Sequence, residues 1–112
     1  MSSVLDHPLH AQERANLEAK RPQIEEICRR YKAAKSSLFG SILRPEEFHE
    51  QSDVDFLVEF EPDARMGLAF WGMELDLEDL IGRPVHLKTA LDLSRYFRKE
   101  VVAEAEVFYA AS

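Results

Sequence analysis

Asp53 and Asp55 stand two residues apart in the run Asp53-Val54-Asp55-Phe56-Leu57-Val58-Glu59-Phe60. In an extended strand alternate side chains share a face, so Val54, Phe56, Val58 and Phe60 point one way and Asp53, Asp55, Leu57 and Glu59 the other. Two like charges about 6 to 7 Å apart along a strand repel each other, and a divalent cation would remove that penalty. Mg²⁺ takes oxygen ligands, usually one or two carboxylates, with water and substrate phosphates completing its shell. Upstream, the apolar pair Leu38-Phe39 leads into Gly40-Ser41, small residues that let backbone amides and a hydroxyl approach phosphates. Arg44 follows three residues after Ser41 and carries a planar fork suited to a phosphate. The combination points to a nucleoside triphosphate site in which Asp53 and Asp55 hold the metal and Gly40, Ser41 and Arg44 hold the nucleotide.

Each of these residues also has a plainer reading. The aspartates would be surface carboxylates on a solvated strand, Gly40-Ser41 a simple turn, and Arg44 half of a surface ion pair. Glu59 shares the aspartates' face but sits too far along the strand to join them, and it reads as solvent-facing. His7, His10 and His49 lack a partner pattern and read as solvated, while Tyr96 and Tyr109 read as packed aromatics.

The elements that must position the site follow from periodicity and breakers. Residues 1 to 8 form a loose start, with Pro8 able to open a helix in its first turn. From Leu9 to Lys35, Leu17, Ile24, Ile27, Cys28 and Tyr31 recur at helical spacing. Pro22 interrupts that pattern, so a break or a new helix is expected near Arg21, with the second piece running from Gln23 to Lys35. A short strand from Ser36 to Phe39, a loop or helical turn from Ser41 to Ser52, and a strand from Val54 to Phe60, stopped by Glu61-Pro62-Asp63, come next. A helix from Met66 to Ile81 carries Leu68, Phe70, Trp71, Met73, Leu75, Leu77 and Leu80, with Gly82 as its cap. Most of these are core residues by type, although Trp and Met in such excess also suit a partner surface. Arg83 to Thr89 alternates as a third strand with Val85 and Leu87 inward and His86 and Lys88 on the aspartates' face. A last helix from Asp92 to about Glu104 leads to an edge strand from Ala105 to Tyr109, for which a helix is the alternative.

Composition bounds the rest. At 112 residues, with 46% hydrophobic and 31% charged side chains, the chain reads as one globular domain. No apolar run approaches the roughly 20 residues of a membrane span, and the first residues lack a signal-peptide pattern. The lone Cys28 has no internal disulfide partner, and a cytoplasmic location is expected. A net charge of -7, from 14 Lys and Arg against 21 Asp and Glu, argues against non-specific nucleic-acid binding and suits a basic protein partner.

Leu38-Phe39-Gly40-Ser41, Arg44 and Ser52-Asp53-Val54-Asp55-Phe56-Leu57-Val58-Glu59-Phe60, with the later Asp76-Leu77-Glu78-Asp79-Leu80-Ile81-Gly82-Arg83-Pro84-Val85, resemble the signature of the minimal nucleotidyltransferases of the DNA polymerase beta superfamily. The likeness covers roughly residues 23 to 109, leaving 1 to 22 as an N-terminal helical extension. It implies an α/β (α+β) fold, a small mixed sheet of three to four strands with helices mainly on one face. It further implies transfer of a nucleoside monophosphate, AMP from ATP, to an acceptor hydroxyl, with Mg²⁺ or Mn²⁺ as the metal. Many minimal members act as antitoxins beside HEPN-type toxins, some by adenylylating the toxin, so a toxin protein is the implied partner, with homo- or hetero-oligomers open. The chain departs from the family pattern in two places. Eleven residues, Ile42 to Ser52, separate Ser41 from Asp53 where ten are usual, and no Gly follows Arg44. His86 stands where the family carries a third carboxylate; imidazole prefers Mn²⁺ or Zn²⁺ to Mg²⁺ and can also act as a general base. The competing class is a non-catalytic antitoxin that keeps the fold and blocks its partner by contact. Transfer to a small molecule would call for a substrate domain that 112 residues do not supply.

Overall fold

The computed structural model describes residues 7–111; of the loose start expected for residues 1 to 8, the first six lie outside them and Pro8 already opens a helix. Among the described residues, helices α1 (Pro8–Ala19), α2 (Arg21–Arg30), α3 (Met66–Ile81) and α4 (Arg98–Glu104) accompany strands β1 (Ala33–Phe39), β2 (Val54–Phe60), β3 (Val85–Lys88) and β4 (Glu106–Ala110). The sheet order is β3-β2-β1-β4. β2 runs antiparallel to β1 and parallel to β3, and β4 closes the far edge antiparallel to β1. This is the mixed sheet that the family resemblance implied.

The core follows the alternation of β2. Val54, Phe56 and Val58 are buried against Leu17 of α1, Ile24, Ile27 and Cys28 of α2, and Met73, Leu77 and Ile81 of α3. Val85 and Leu87 of β3 join them, while His86 and Lys88 are exposed. The opposite face is not wholly wet, because Leu57 pairs with Ser37 across β1 and both are buried.

Several boundaries differ from the sequence expectation. The chain turns at Lys20, since Pro22 cannot supply the N–H that a continuous helix needs. α2 then ends at Arg30 rather than Lys35, and β1 begins at Ala33 rather than Ser36. Lys32 adopts a left-handed φ of 60° and its carbonyl accepts the Glu61 amide at 2.8 Å, so sheet pairing claims Ala33 and Ala34 despite their helical preference. β3 is trimmed to Val85–Lys88 because Arg83 and Pro84 belong to the approach; the Pro84 carbonyl accepts the Val54 amide at 2.9 Å. The expected helix from Asp92 starts only at Arg98. Thr89 and Asp92 close a short 3-10 turn by mutual capping, and the Arg98 guanidinium donates to the carbonyls of Ala90 and Leu93 at 2.7 and 3.0 Å. Tyr109 is packed, but Tyr96 is exposed under the Arg95 guanidinium.

Two features frame the site. β3 is an edge strand, and Glu78 and Glu74, one turn apart on α3, accept the Val85 and Leu87 amides at 3.1 and 3.0 Å. Side-chain caps of this kind block pairing with a further strand. α3 itself is only half core: Leu68, Trp71 and Leu75 form an exposed apolar stripe beside buried Ala69, Met73 and Leu77.

Candidate functional site

β1, β2 and β3 bring Phe39, Asp55 and His86 into register as direct neighbours across three strands. Gly40 follows Phe39 and turns the chain out of the sheet at φ +77°, a left-handed conformation natural to glycine. It opens the 3-10 turn Gly40–Leu43, which carries Ser41, half-buried, to the same end of the sheet. The missing side chain matters as much as the angle, since a Cβ on Gly40 would stand 2.4 Å from Oδ2 of Asp55. The glycine backbone therefore lies directly against the carboxylate.

Asp53 and Asp55 both face His86. Its Nε2 is 3.2 Å from Oδ2 of Asp53 and its Nδ1 is 3.7 Å from Oδ1 of Asp55. Burial, the largest influence, together with the Asp53 charge, pushes the Asp55 carboxyl up to about 6, against the opposing pull of His86 and Lys88. The His86 side chain is 58% exposed and borders a shallow groove of about 290 Å³ shared with Phe70, Trp71, Glu74 and Lys88. A larger hollow of about 660 Å³ between α2 and α3 touches none of these residues.

Gly40, Asp53, Asp55 and His86 thus meet at one end of the sheet. Arg44 sits half-buried nearby in sequence, but its guanidinium is paired with Glu104 of α4 at 2.8 Å and Glu47 at 3.6 Å, the ion pair of its plainer reading. Glu59 is exposed as expected. His10 is not solvated: its Nε2 meets the Ile42 carbonyl at 2.8 Å.

Among the described residues no three His, Cys, Asp or Glu side chains form a ready-made metal cage. Two carboxylates do converge beside the His86 ring; their oxygens suit a hard cation completed by water and phosphate oxygens, whereas the imidazole suits Mn²⁺ or Zn²⁺ better than Mg²⁺. A triphosphate drawn to the Gly40–Ser41 backbone would arrive against the Asp55 carboxylate, and two anions in contact require a cation between them. The residues present fit the group on that ground.

Sequence reasoning did not single out Arg83. Its Nη1 donates to the carbonyls of Glu50 at 2.8 Å, Ser52 at 3.0 Å and His49 at 3.4 Å, while its Nε pairs with Glu13 of α1 at 3.3 Å. No local pattern signals this pairing, because 70 residues separate its partners.

The nucleotidyltransferase domain family matches residues 21–108, and the chain belongs to it. A solved structure assigned as a minimal nucleotidyltransferase is 35% identical, covering 80% of this chain and 89% of its own length at a TM-score of 0.68. A toxin-antitoxin complex solved with AMP-PNP is 22% identical over 82% of this chain and 74% of that one, TM-score 0.64. A tri-AMPylated HEPN toxin of Shewanella oneidensis in complex with its MNT antitoxin gives 20% identity over 84% and 72%, TM-score 0.58. At these two lower identities the likeness is one of fold. No curated protein sequence matches the chain.

Proposed function

We propose that this protein, as a single minimal domain, transfers a nucleoside monophosphate, AMP from ATP, to a hydroxyl on a partner protein of the HEPN-toxin type. The observation that carries the reading is the close approach of the Gly40 backbone to Asp55, with Asp53 and Asp55 both against the His86 ring. In this reading Asp53 and Asp55 hold Mg²⁺ or Mn²⁺, Gly40 and Ser41 hold the triphosphate, and Arg44 assists after leaving Glu104. The cation, when bound, would neutralise charge on the phosphates. The acceptor oxygen forms a bond to the α-phosphorus, the α–β anhydride bond breaks, and pyrophosphate leaves. The acceptor's proton passes to the exposed His86 ring, within reach of an incoming hydroxyl. The stripe Leu68, Trp71 and Leu75 on α3, in a helix that carries Glu74, Asp76, Glu78 and Asp79 and no basic residue, suits an apolar partner surface with a basic rim.

A second reading rests on His86 itself. Its two nitrogens lie against both aspartates, where a cationic ring would compete with a metal, and a protein of that kind would neutralise its partner by contact alone. Labelled ATP with Mg²⁺ or Mn²⁺ and a HEPN-type protein that this chain binds decides between them. Label on the partner establishes transfer; stable binding with no label leaves the contact reading. Gain of transfer in His86→Asp would locate the loss at that one position.

A further inference from the structure

Helix α1 (Pro8–Ala19) lies outside the residues 21–108 matched by the family. We infer that it is a working part of the site: through Glu13 and Arg83 it fixes the loop that delivers Asp53, and through His10 the turn that delivers Gly40 and Ser41. Arg83 is the positioning residue and Glu13 its anchor. The inference rests on the nucleotidyltransferase reading of the site.

The loop from Arg44 to Ser52 has no sheet ladder, only short turn hydrogen bonds of its own, Glu47 and Phe48 to the Arg44 carbonyl and Ser52 to that of His49, so contacts from outside fix how it sits against the sheet. Arg83 supplies them at the decisive end. The Ser52 carbonyl it binds at 3.0 Å belongs to the peptide group that carries the Asp53 nitrogen. The same guanidinium lies 4.9 Å over the Phe48 ring, and Phe48 is buried. Its charge is met by Glu13, whose other oxygen accepts from Asn16 at 3.1 Å. The side chains of Arg83 and Glu13 are only 15% and 9% exposed, so water offers the guanidinium little alternative, unlike a surface pair. A planar fork can hold a carboxylate on one side and carbonyls on the other; an ammonium cannot reproduce that spread.

His10 stands three residues before Glu13, on the same face of α1. Its ring meets the Ile42 carbonyl at 2.8 Å inside the 3-10 turn and packs edge-on to Phe48 with centroids 6.1 Å apart. Phe48 is therefore held between His10 and Arg83, and one helical face governs both segments that enter the site.

Two measurements on the full chain test this: hydrogen exchange of the amides in residues 40–53, and calorimetric binding of Mn²⁺ with a non-hydrolysable ATP analogue. Arg83→Lys keeps a cation beside Glu13 but loses the fork. It is expected to speed exchange in 45–53 and weaken binding about tenfold, with α2 and β1 as protected as in the wild type. Glu13→Gln, which keeps an oxygen for Arg83, should show a smaller shift of the same kind, and His10→Ala should loosen 40–44. Unchanged loop exchange in Arg83→Lys overturns the inference, as does faster exchange with unchanged affinity. Absence of binding by the wild type overturns the nucleotidyltransferase reading instead, and the exchange data alone then decide whether α1 holds the loops.

Discussion

Glu13 and Asp76 differ from Asp53 and Asp55 in what surrounds them, although all four are carboxylates set within one small fold. Glu13 is matched by Arg83 and Asn16. Asp76 accepts from the Tyr31 hydroxyl at 2.6 Å and from Arg30 at 3.0 Å. Among the described residues the one side chain paired with Asp53 and Asp55 is the His86 ring; burial raises the Asp55 carboxyl against the pull of His86 and Lys88. Acids that serve the fold are satisfied by donors within it. In the proposed function Asp53 and Asp55 are the acids that wait for a ligand; fewer donors of the fold meet them, which costs stability.

Breaking a satisfied pair should have the largest effect on folding. Glu13→Ala strands the Arg83 guanidinium, and removing one partner of a buried pair costs about 3 kcal/mol or more; urea unfolding measures it. Asp55→Asn should act in the opposite direction. The folded pKa of about 6 lies above the ordinary 3.8, so between these values the folded chain keeps a proton that the unfolded chain has released. The penalty is absent below about pH 4, grows as pH rises, and is complete above about pH 6. Removing it should stabilise the metal-free protein at pH 7 by about 1–3 kcal/mol, with Asp55 only 21% exposed. Unfolding curves for Asp55→Asn and wild type should converge at pH 4 and separate at pH 7. Mn²⁺ should raise the melting temperature of the wild type and not of the variant.

Gly40→Ala comes next, and it sharpens the contrast by filling the space against Asp55. The left-handed φ alone costs about 1–2 kcal/mol, and the new Cβ would meet Oδ2 of Asp55 at 2.4 Å. A modest loss of stability together with loss of Mn²⁺ and nucleotide-analogue binding is expected. Full binding in Gly40→Ala would argue that the phosphates approach elsewhere.

What the sequence made legible follows the same division. β2 and α3 were readable because alternation, helical spacing, Pro62 and Gly82 act locally, and their observed bounds are Val54–Phe60 and Met66–Ile81. The start of β1 was not, because Ala33-Ala34-Lys35 favours a helix on its own and becomes strand only by pairing with Glu59 and Phe60. Residues 92–97 read as helix for a similar reason; the long-armed Arg98 binding Ala90 and Leu93 prevents it. At the site, Gly40, Asp53, Asp55 and His86 stand on three neighbouring strands or their ends; alternation put His86 on the aspartates' face, and the family resemblance pointed to their meeting. The contacts that hold them did not show. His10 to Ile42 and Glu13 to Arg83 join distant segments, and nothing near Arg83, one residue after a helix-ending glycine, distinguishes it from an ordinary loop arginine.

Tyr31→Phe makes the smallest and most selective test of the comparison. The Tyr31 hydroxyl donates to Asp76, which holds the phenol above its ordinary pKa, and the ring lies across α3 where Gly72 leaves room for it; a Cβ there would come within 2.6 Å. Removing the hydroxyl leaves Asp76 with Arg30 and keeps the ring, so the cost should be near 1 kcal/mol, that of one hydrogen bond. Because Asp76 belongs to the satisfied group, Mn²⁺ affinity and loop exchange near Asp53 should not change. A Tyr31→Phe protein that folds as well as wild type but binds Mn²⁺ more weakly would dissolve the division between structural and waiting acids, since it would tie the helical layer to the metal through a residue that touches neither aspartate.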